Sequence, residues 1–349
     1  MSDVIPHKKA SGRLHNLRMF ISEPVAVLYG NGQQRPAVQL RNGKHGAGSC
    51  LGCYNNPCMK IHSSELTLPK ELDAFPGDPD LDVCPTAAIL WKEDFSSPAV
   101  TVANCIGCGL CAARCPYGAI SLSPSGIAVV HDDDPDSLTT AATDTNEQTP
   151  QIATPHSGAL GSINTPSLFN FPASISGLND HASSLLVRNL LTQVGISTRI
   201  RRKGDTNMRI DAVGSLDDGR IAAIEIELSK AVLESPRALL EDVAVLHGRY
   251  KIDTARIDPV SVILSLPNAR SEYYQVIDDI QKILGLRYRT VTLGALLSMV
   301  WHFCRVESFR HDLFVTAING TDLGTGMHKY ISGRLSHIEP YQGSLYPAK

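Results

Sequence analysis

A run of four closely spaced cysteines, Cys105 to Cys115, constrains this chain more than any other feature. Their spacing is Cys-x2-Cys-x2-Cys-x3-Cys-Pro, so four thiols share one short segment that also contains Gly107 and Gly109. Thiolate sulfur is a strong ligand for zinc and for iron–sulfur clusters. The spacing therefore predicts a metal- or cluster-binding segment.

Length and composition limit the setting in which this segment works. A chain of 349 residues suits two or three domains, each able to bury its own core. A net charge of -3 with 19% charged residues demands neither nucleic acid nor membrane as a partner. The start, residues 1–18, lacks the apolar core of a signal peptide, and residues 291–301 are too short to span a bilayer. We expect a cytoplasmic protein without membrane association, in which the nine cysteines stay reduced and favour ligation over disulfides.

A second set of cysteines lies upstream and repeats part of this pattern. It reads Cys50-x2-Cys53-x4-Cys58 and is followed, after 25 residues, by Cys84-Pro85. Both Cys84 and Cys115 are followed by proline and then by a short apolar stretch that predicts a strand. The chain therefore contains an internal repeat of two half-motifs.

This arrangement resembles the two-cluster bacterial ferredoxins over residues 45–130. The resemblance implies two [4Fe-4S] clusters with crossed ligation, in which each half-motif lends one cysteine to the other cluster. The implied ligands are Cys50, Cys53, Cys58 and Cys115 for cluster 1, and Cys84, Cys105, Cys108 and Cys111 for cluster 2. The first half departs from the family by two extra residues before Cys58 and by the insert 59–83. A zinc site is the alternative, since Cys-x2-Cys pairs also form zinc knuckles.

Composition divides the rest of the chain. Residues 131–168 are rich in Asp, Thr, Ala, Pro and Gly and lack the apolar residues needed to offset ordering entropy, so they predict a flexible acidic linker. An Asn-Gly turn signal in the first 45 residues predicts a hairpin, with strands at residues 25–29 and 37–40. The predicted domains are 1–45 (hairpin extension), 46–130 (cluster domain), 131–168 (linker), 169–304 (second domain) and 305–349 (C-terminal extension).

The second domain has the pattern of an α/β fold. Apolar periodicity predicts, in order, a helix at 183–194, strands at 196–201, 208–213 and 220–228, a helix from Ser235, a strand at 260–266, a helix at 273–284 and a strand at 288–293. The predicted fold class is thus a multidomain α+β protein, with a ferredoxin-like domain and an α/β domain around a mixed central sheet.

Three carboxylates stand out in this domain. Asp211 falls in the second predicted strand, while Glu225 and Glu227 share one face of the third. Over residues 180–295 this order resembles the restriction-endonuclease-like superfamily with its PD-(D/E)XK signature. The resemblance implies a catalytic trio, in which Asp211 and Glu225 hold Mg²⁺ or Mn²⁺ and Glu227 occupies the usual lysine position, orienting or deprotonating a water. The alternative is a solvated strand face paired with arginine.

Basic residues precede Asp211 in the sequence. They can contact DNA phosphates beside the carboxylates, or they can protect an edge strand against aggregation. These residues are Arg199, Arg201, Arg202, Lys203 and Arg209.

Together these patterns favour an iron–sulfur protein in which a dicluster domain is coupled to a metal-dependent DNA nuclease-like domain, in a setting such as restriction or phage defence. The clusters would then act as redox control or as an electron relay to a partner protein. The alternative is an electron-transfer protein that is not an enzyme, whose second domain docks nucleic acid or protein. The sequence leaves the oligomeric state open.

Overall fold

The structure, a computed structural model, falls into two units. Unit 1 comprises Met1–Ser64 and Leu81–Ser167, and unit 2 comprises Glu65–Asp80 and Leu168–Lys349. The residues it describes are 25–28, 34–37, 56–92, 97–115, 120–122, 128–130, 171–229, 232–309, 311–316, 322–331 and 343–347. Cys50, Cys53 and the predicted linker 131–168 lie outside these ranges.

Within its described residues, unit 1 contains three antiparallel strand pairs. They are β1 (Val25–Leu28) with β2 (Gln34–Ala37), β3 (Ile89–Lys92) with β4 (Ser97–Val100), and β5 (Ile120–Leu122) with β6 (Ala128–Val130). The first pair is the predicted hairpin, although its second strand begins at Gln34 rather than at Ala37.

The internal repeat has a counterpart in these strands. Strand β3 begins five residues after Cys84, and β5 begins five residues after Cys115. A single-turn helix, α1 (Leu110–Ala113), lies between the two hairpins in the chain. The two hairpins pack together, with β4 against β6 and α1 against β5, and Ile89, Leu110 and Ile120 are buried.

Unit 2 is built on a five-stranded sheet. Its strands are β7 (Ser197–Ile200), β8 (Ala212–Ser215), β9 (Ile221–Glu227), β10 (Ile257–Ile263) and β11 (Arg289–Thr292). The order across the sheet is β11-β10-β9-β8-β7. Strands β7, β8 and β9 run antiparallel, whereas β9, β10 and β11 are parallel. The prediction of a mixed central sheet is confirmed.

Helices connect and cover this sheet. They are α2 (Asp180–Gln193), α3 (Ser235–Tyr250), α4 (Glu272–Leu284), α5 (Leu293–Trp301) and α6 (Asp322–Ile331). Helices α3 and α4 form the crossovers that parallel strand pairs require. Helix α3 packs against β9 and β10, while α2 packs against β7 and α5. In the described part of the chain, no helix has both the length and the apolar character needed to cross a membrane.

An excursion of the chain, Glu65–Asp80, belongs to unit 2 although it lies in sequence between Cys58 and Cys84. We call it the edge segment. The Asp78 N–H donates to the Ile200 carbonyl at 2.9 Å, and the Arg202 N–H donates to the Pro76 carbonyl at 3.0 Å. Its apolar side chains Leu72 and Phe75 are buried. The edge segment thus pairs with the backbone at the end of β7, where a further strand could otherwise add. The predicted 46–130 domain did not anticipate this excursion.

Candidate functional sites

Four cysteines of unit 1 line one apolar cavity. They are Cys84, Cys105, Cys108 and Cys111. The remaining wall includes Val83, Ile89, Val100, Leu110 and Ala128. The structure therefore brings Cys84, from the first half-motif, beside three cysteines of the second, as crossed ligation implies.

Two glycines shape the loop that carries Cys105, Cys108 and Cys111. Gly107 has a φ of 73° and Gly109 a φ of 75°, in the left-handed region that a side chain with Cβ disfavours. These reversals turn the backbone twice within a few residues, and α1 begins directly afterwards. Successive thiols can therefore face the same cavity despite their short separation in sequence.

Backbone and hydroxyl groups surround the sulfur atoms. The Ala88 N–H donates to Cys84 Sγ at 3.2 Å, and the Ala128 N–H donates to Cys105 Sγ at 3.5 Å. The Thr86 hydroxyl lies 3.5 Å from Cys84 Sγ. Such contacts stabilise negative charge on sulfur and tune the potential of any centre that the sulfurs hold.

The electrostatics of the cavity show how closely the thiols adjoin one another. Burial, followed by the charges of Cys84 and Cys105, raises the pKa of Cys108 to about 12. Burial and then Cys108 raise the pKa of Cys111 well above its ordinary value. Four thiolates can share this apolar space only with a positively charged partner. A soft, four-sulfur donor set of this kind fits an iron–sulfur core.

Two further predicted ligands, Cys58 and Cys115, are buried in unit 1. The Nε of Arg114 donates to the Pro57 carbonyl at 2.7 Å, which joins the residue before Cys115 to the residue before Cys58. Their predicted co-ligands Cys50 and Cys53 lie outside the described residues. The structure thus describes half of the first ligand set.

In unit 2 the three predicted carboxylates line one open cleft of about 1080 Å³ together with Arg201. Asp211 lies directly before β8 and not inside a strand as predicted, although the Arg201 N–H donates to its carbonyl at 2.8 Å and so continues the β7–β8 pairing by one residue. Continuing the β8–β9 register places it opposite Glu225. The Ile226 N–H donates to Asp211 Oδ2 at 3.1 Å. Glu227, at the end of β9, accepts from the Ser229 N–H at 2.9 Å.

The carboxyl groups perturb each other strongly. Burial, followed by the charges of Asp211 and Asp242, raises the pKa of Glu225 to about 8. Burial also raises the pKa of Asp211, against the opposing effects of the Ile226 N–H and of Arg201, whose Nη2 lies 3.4 Å from Asp211 Oδ1. Glu225 therefore differs from the solvated strand residue that the alternative described.

Asp242, which was not predicted as a site residue, lies on α3 and perturbs the pKa of Glu225. It is fully buried, and within the described residues neither of its carboxyl oxygens has a hydrogen-bond partner. Burial and the charge of Asp211 raise its pKa to about 7. A signal was present, since Asp242 lies three residues after Leu239 and four before Leu246, on the apolar face of the helix.

Coordination geometry is a separate question from proximity. In the described ranges, no three His, Cys, Asp or Glu side chains are already arranged to hold one metal ion. This holds for the thiols of unit 1 and for the carboxylates of unit 2. In both sites the side chains adjoin one another, and a bound ion or cluster would have to draw them together.

The predicted basic residues take several different roles in unit 2. Arg199 Nε donates to the Leu66 carbonyl of the edge segment at 3.1 Å. Arg201 pairs with Asp211, and Arg209 Nη2 lies 2.5 Å from Glu241 Oε2. Arg202 and Lys203 have exposed side chains. Three of the five are thus engaged within the unit, and DNA contact by this group stays a prediction.

Comparison with known proteins agrees with the thiol site. Residues 77–124, which contain Cys84 and the whole Cys105–Cys115 run, match the LdpA Fe-S cluster-binding domain. An uncharacterized ferredoxin of Methanocaldococcus jannaschii is 35% identical over 80 residues, covering 20% of this chain and 50% of the relative. Hydrogenase-4 component A of Escherichia coli is 37% identical over 75 residues, covering 21% of this chain and 36% of the relative. The chain therefore spans half or less of each relative, and no solved structure matches it.

The four-thiol cavity and these relatives define a ferredoxin-like iron–sulfur protein. Its cluster-binding domain is of the LdpA type over residues 77–124. The predicted iron–sulfur function is confirmed at this level.

Proposed function

We propose that this protein transfers electrons through two [4Fe-4S] clusters. The observation that carries the proposal is the position of Cys84 in one cavity with Cys105, Cys108 and Cys111. These four would hold one cluster. Cys50, Cys53, Cys58 and Cys115 would hold the other, supported by the Arg114–Pro57 hydrogen bond. When bound, such clusters supply one-electron transfer.

The residues of the chain have distinct roles in this proposal. The apolar wall of the cavity, including Ile89 and Val100, would limit water around the sulfurs. The N–H groups of Ala88 and Ala128 would stabilise the more negative, reduced state and raise the potential. One relative is named as a hydrogenase component. A redox enzyme is accordingly the kind of partner that we propose.

Metal and sulfide analysis of anaerobically purified protein tests this function. We expect about eight irons per chain with matching labile sulfide, and an electron paramagnetic resonance signal of [4Fe-4S]⁺ after reduction. Zinc in place of iron would overturn the proposal. About four irons would restrict it to the cavity that Cys84 lines.

A second candidate function, phosphodiester hydrolysis, is favoured by the carboxylate cleft of unit 2. Helix α2, the three antiparallel strands, the α3 crossover and the parallel strand β10 follow one another in the chain in the order on which the resemblance to restriction-endonuclease-like enzymes is based. In this proposal Asp211 and Glu225 hold Mg²⁺ or Mn²⁺, which would neutralise charge at the phosphate. Glu227 would orient the attacking water, and Arg202 and Lys203 would contact the DNA backbone.

DNA cleavage with Mg²⁺ or Mn²⁺ tests this second function. Wild type should cut, Asp211→Asn should not, and Asp217→Asn, an exposed aspartate on the β8–β9 turn, should cut like wild type. If no sample cuts, unit 2 is better explained as a docking module. Repeating the assay with oxidised and dithionite-reduced protein tests coupling, since equal rates in both states would remove redox control from the proposal.

A further inference from the structure

Asp242 of α3 combines full burial with a carboxyl group that lacks hydrogen-bond partners among the described residues. Its exposed fraction is 0%, and in the described part of the chain both carboxyl oxygens lack a hydrogen-bond donor. Burying a carboxylate without a partner is costly, so proteins rarely keep one without a compensating charge or ligand. In the second candidate function, Asp211, Glu225 and Glu227 have roles and Asp242 has none.

The surroundings of Asp242 contain more carboxyl groups than cations. Asp211, Glu225 and Glu241 interact with it unfavourably, whereas Arg209 and Arg201 interact favourably. Both arginines are already engaged, Arg209 with Glu241 and Arg201 with Asp211. Among these groups the carboxylates outnumber the arginines, and neither arginine forms an ion pair with Asp242.

Three separate elements deliver the carboxylates around this position. Asp211 lies before β8, Glu225 lies in β9, and Asp242 projects from the helix that packs against β9. Asp211 and Glu225 line the open cleft, whereas Asp242 is covered from solvent. The cleft therefore gives a cation access to Asp211 and Glu225 from solvent, and the buried Asp242 carboxyl group is close enough to interact with both.

We infer that Asp242 is a third protein ligand of a divalent-cation site that it forms with Asp211 and Glu225. The inference rests on the proposed cation-dependent function of unit 2. The ligand class is a hard cation such as Mn²⁺ or Mg²⁺, because all three donors are carboxylate oxygens. The three groups are not yet arranged around one point. Binding would draw these side chains toward the ion, whose positive charge would offset their mutual repulsion.

Mn²⁺ binding to the full-length protein tests the inference. We would titrate Mn²⁺ into wild type, Asp242→Asn, Asp211→Asn and the exposed control Asp217→Asn, and follow free Mn²⁺ by electron paramagnetic resonance. The expected result is Mn²⁺ binding to wild type and to Asp217→Asn, and at least about tenfold weaker binding to Asp242→Asn and Asp211→Asn.

Thermal unfolding gives a second readout that does not depend on activity. Mn²⁺ should raise the Tm of wild type, because a ligand that binds only the folded state stabilises it. In Asp242→Asn this rise should be lost, while the Tm without Mn²⁺ should equal or exceed that of wild type, because an unpartnered buried acid has been removed. A Tm without Mn²⁺ well below wild type would instead indicate a purely structural role.

The outcomes separate this inference from the proposed function. If Asp211→Asn loses Mn²⁺ binding but Asp242→Asn binds as wild type does, the role of Asp242 is wrong and the cation site survives without it. If both variants lose binding but wild type cuts no DNA, the three-carboxylate site stands and the hydrolytic function fails. If wild type binds no Mn²⁺, both fail.

Discussion

The thiol site and the carboxylate site are assembled in opposite ways. Three of the four cysteines that line the cavity, Cys105, Cys108 and Cys111, lie within one short segment in which two glycines reverse the backbone before α1 begins. The carboxylates come from three elements, and their proximity depends on the β8–β9 register and on how α3 packs. The geometry of the thiol site thus follows mainly from spacing in the sequence, whereas that of the carboxylate site forms only when the sheet and α3 pack together.

The two sites also differ in how they carry charge. The thiols lie in an apolar cavity with backbone N–H groups directed at two sulfurs. The carboxylates have arginines beside them, and Asp211 accepts an N–H from the neighbouring strand. Soft sulfur in an apolar pocket favours iron–sulfur chemistry, whereas hard oxygen near solvent favours a hydrated divalent cation.

The largest expected effect concerns Cys84, the cavity cysteine that lies outside the Cys105–Cys111 segment. Cys84→Ser should lower iron and labile sulfide by about half, because a hydroxyl is a poor ligand for this centre. Cys304→Ser is the matched control, since Cys304 is buried in unit 2, outside the cluster region. Iron analysis of both proteins decides. If Cys84→Ser keeps its full iron content, Cys84 is not a cluster ligand and the proposed crossed ligation is wrong.

A second test uses pH to probe the carboxylates without cations. The folded-state pKa is about 8 for Glu225 and about 7 for Asp242, above their ordinary values of 4.5 and 3.8. Between about pH 5 and about pH 8, the folded protein therefore binds more protons than the unfolded chain. Its free energy of unfolding consequently falls as the pH rises over this range. Tm in divalent-free buffer should decline from about pH 5 to about pH 8, and Glu225→Gln should flatten the curve. An unchanged slope in that variant would contradict the shared burial of these acids, and exposed Glu272→Gln is the control.

Local spacing explains why the thiol set was predictable from sequence. The pitch of Cys105, Cys108 and Cys111, and the Cys-Pro of Cys84 and Cys115, are visible without knowing any tertiary contact. The mixed order of helices and strands in unit 2 was likewise readable from apolar periodicity, because it also depends on neighbours in the sequence.

Asp242 and the edge segment were not predicted, for a physical reason. The spacing from Leu239 and Leu246 places Asp242 on the apolar face of α3, but that this face meets the carboxylates of the sheet depends on how α3 packs against β9, which local spacing does not determine. The edge segment has apolar Leu72 and Phe75, but their spacing does not reveal which unit buries them. Residues that act through tertiary packing leave only a weak trace in the sequence.

A smaller effect is expected from breaking the hydrogen bonds between the edge segment and the end of β7. Asp78 Oδ2 accepts from the Lys203 N–H at 2.8 Å, and its Oδ1 accepts from the Asp80 N–H at 2.9 Å. Asp78→Ala removes two hydrogen bonds to a carboxylate, one from the partly buried Asp80 N–H and one from the exposed Lys203 N–H, so we expect unit 2 to lose about 2 kcal/mol in its free energy of unfolding. Urea denaturation followed by circular dichroism measures it. Exposed Asp73→Ala in the same segment should change little, and equal losses in the two variants would show that the segment does not hold β7 as described.

The smallest expected effect returns to the loop that makes the thiol site local. At Gly109, where φ is 75°, alanine would be strained by about 1 kcal/mol, because Cβ approaches the following carbonyl in this conformation. Gly109→Ala should therefore lose iron faster than wild type under a chelator, followed by the decay of visible absorbance. Gly248→Ala serves as the control, because this residue lies in α3 where an added Cβ meets nothing within 4 Å. That change should stabilise the helix by about 1 kcal/mol and leave iron loss unchanged. Equal rates of iron loss in Gly109→Ala and wild type would mean that packing around the cavity, and not the glycine turns, positions the thiols. The thiol site would then depend on tertiary packing, as the carboxylate site does.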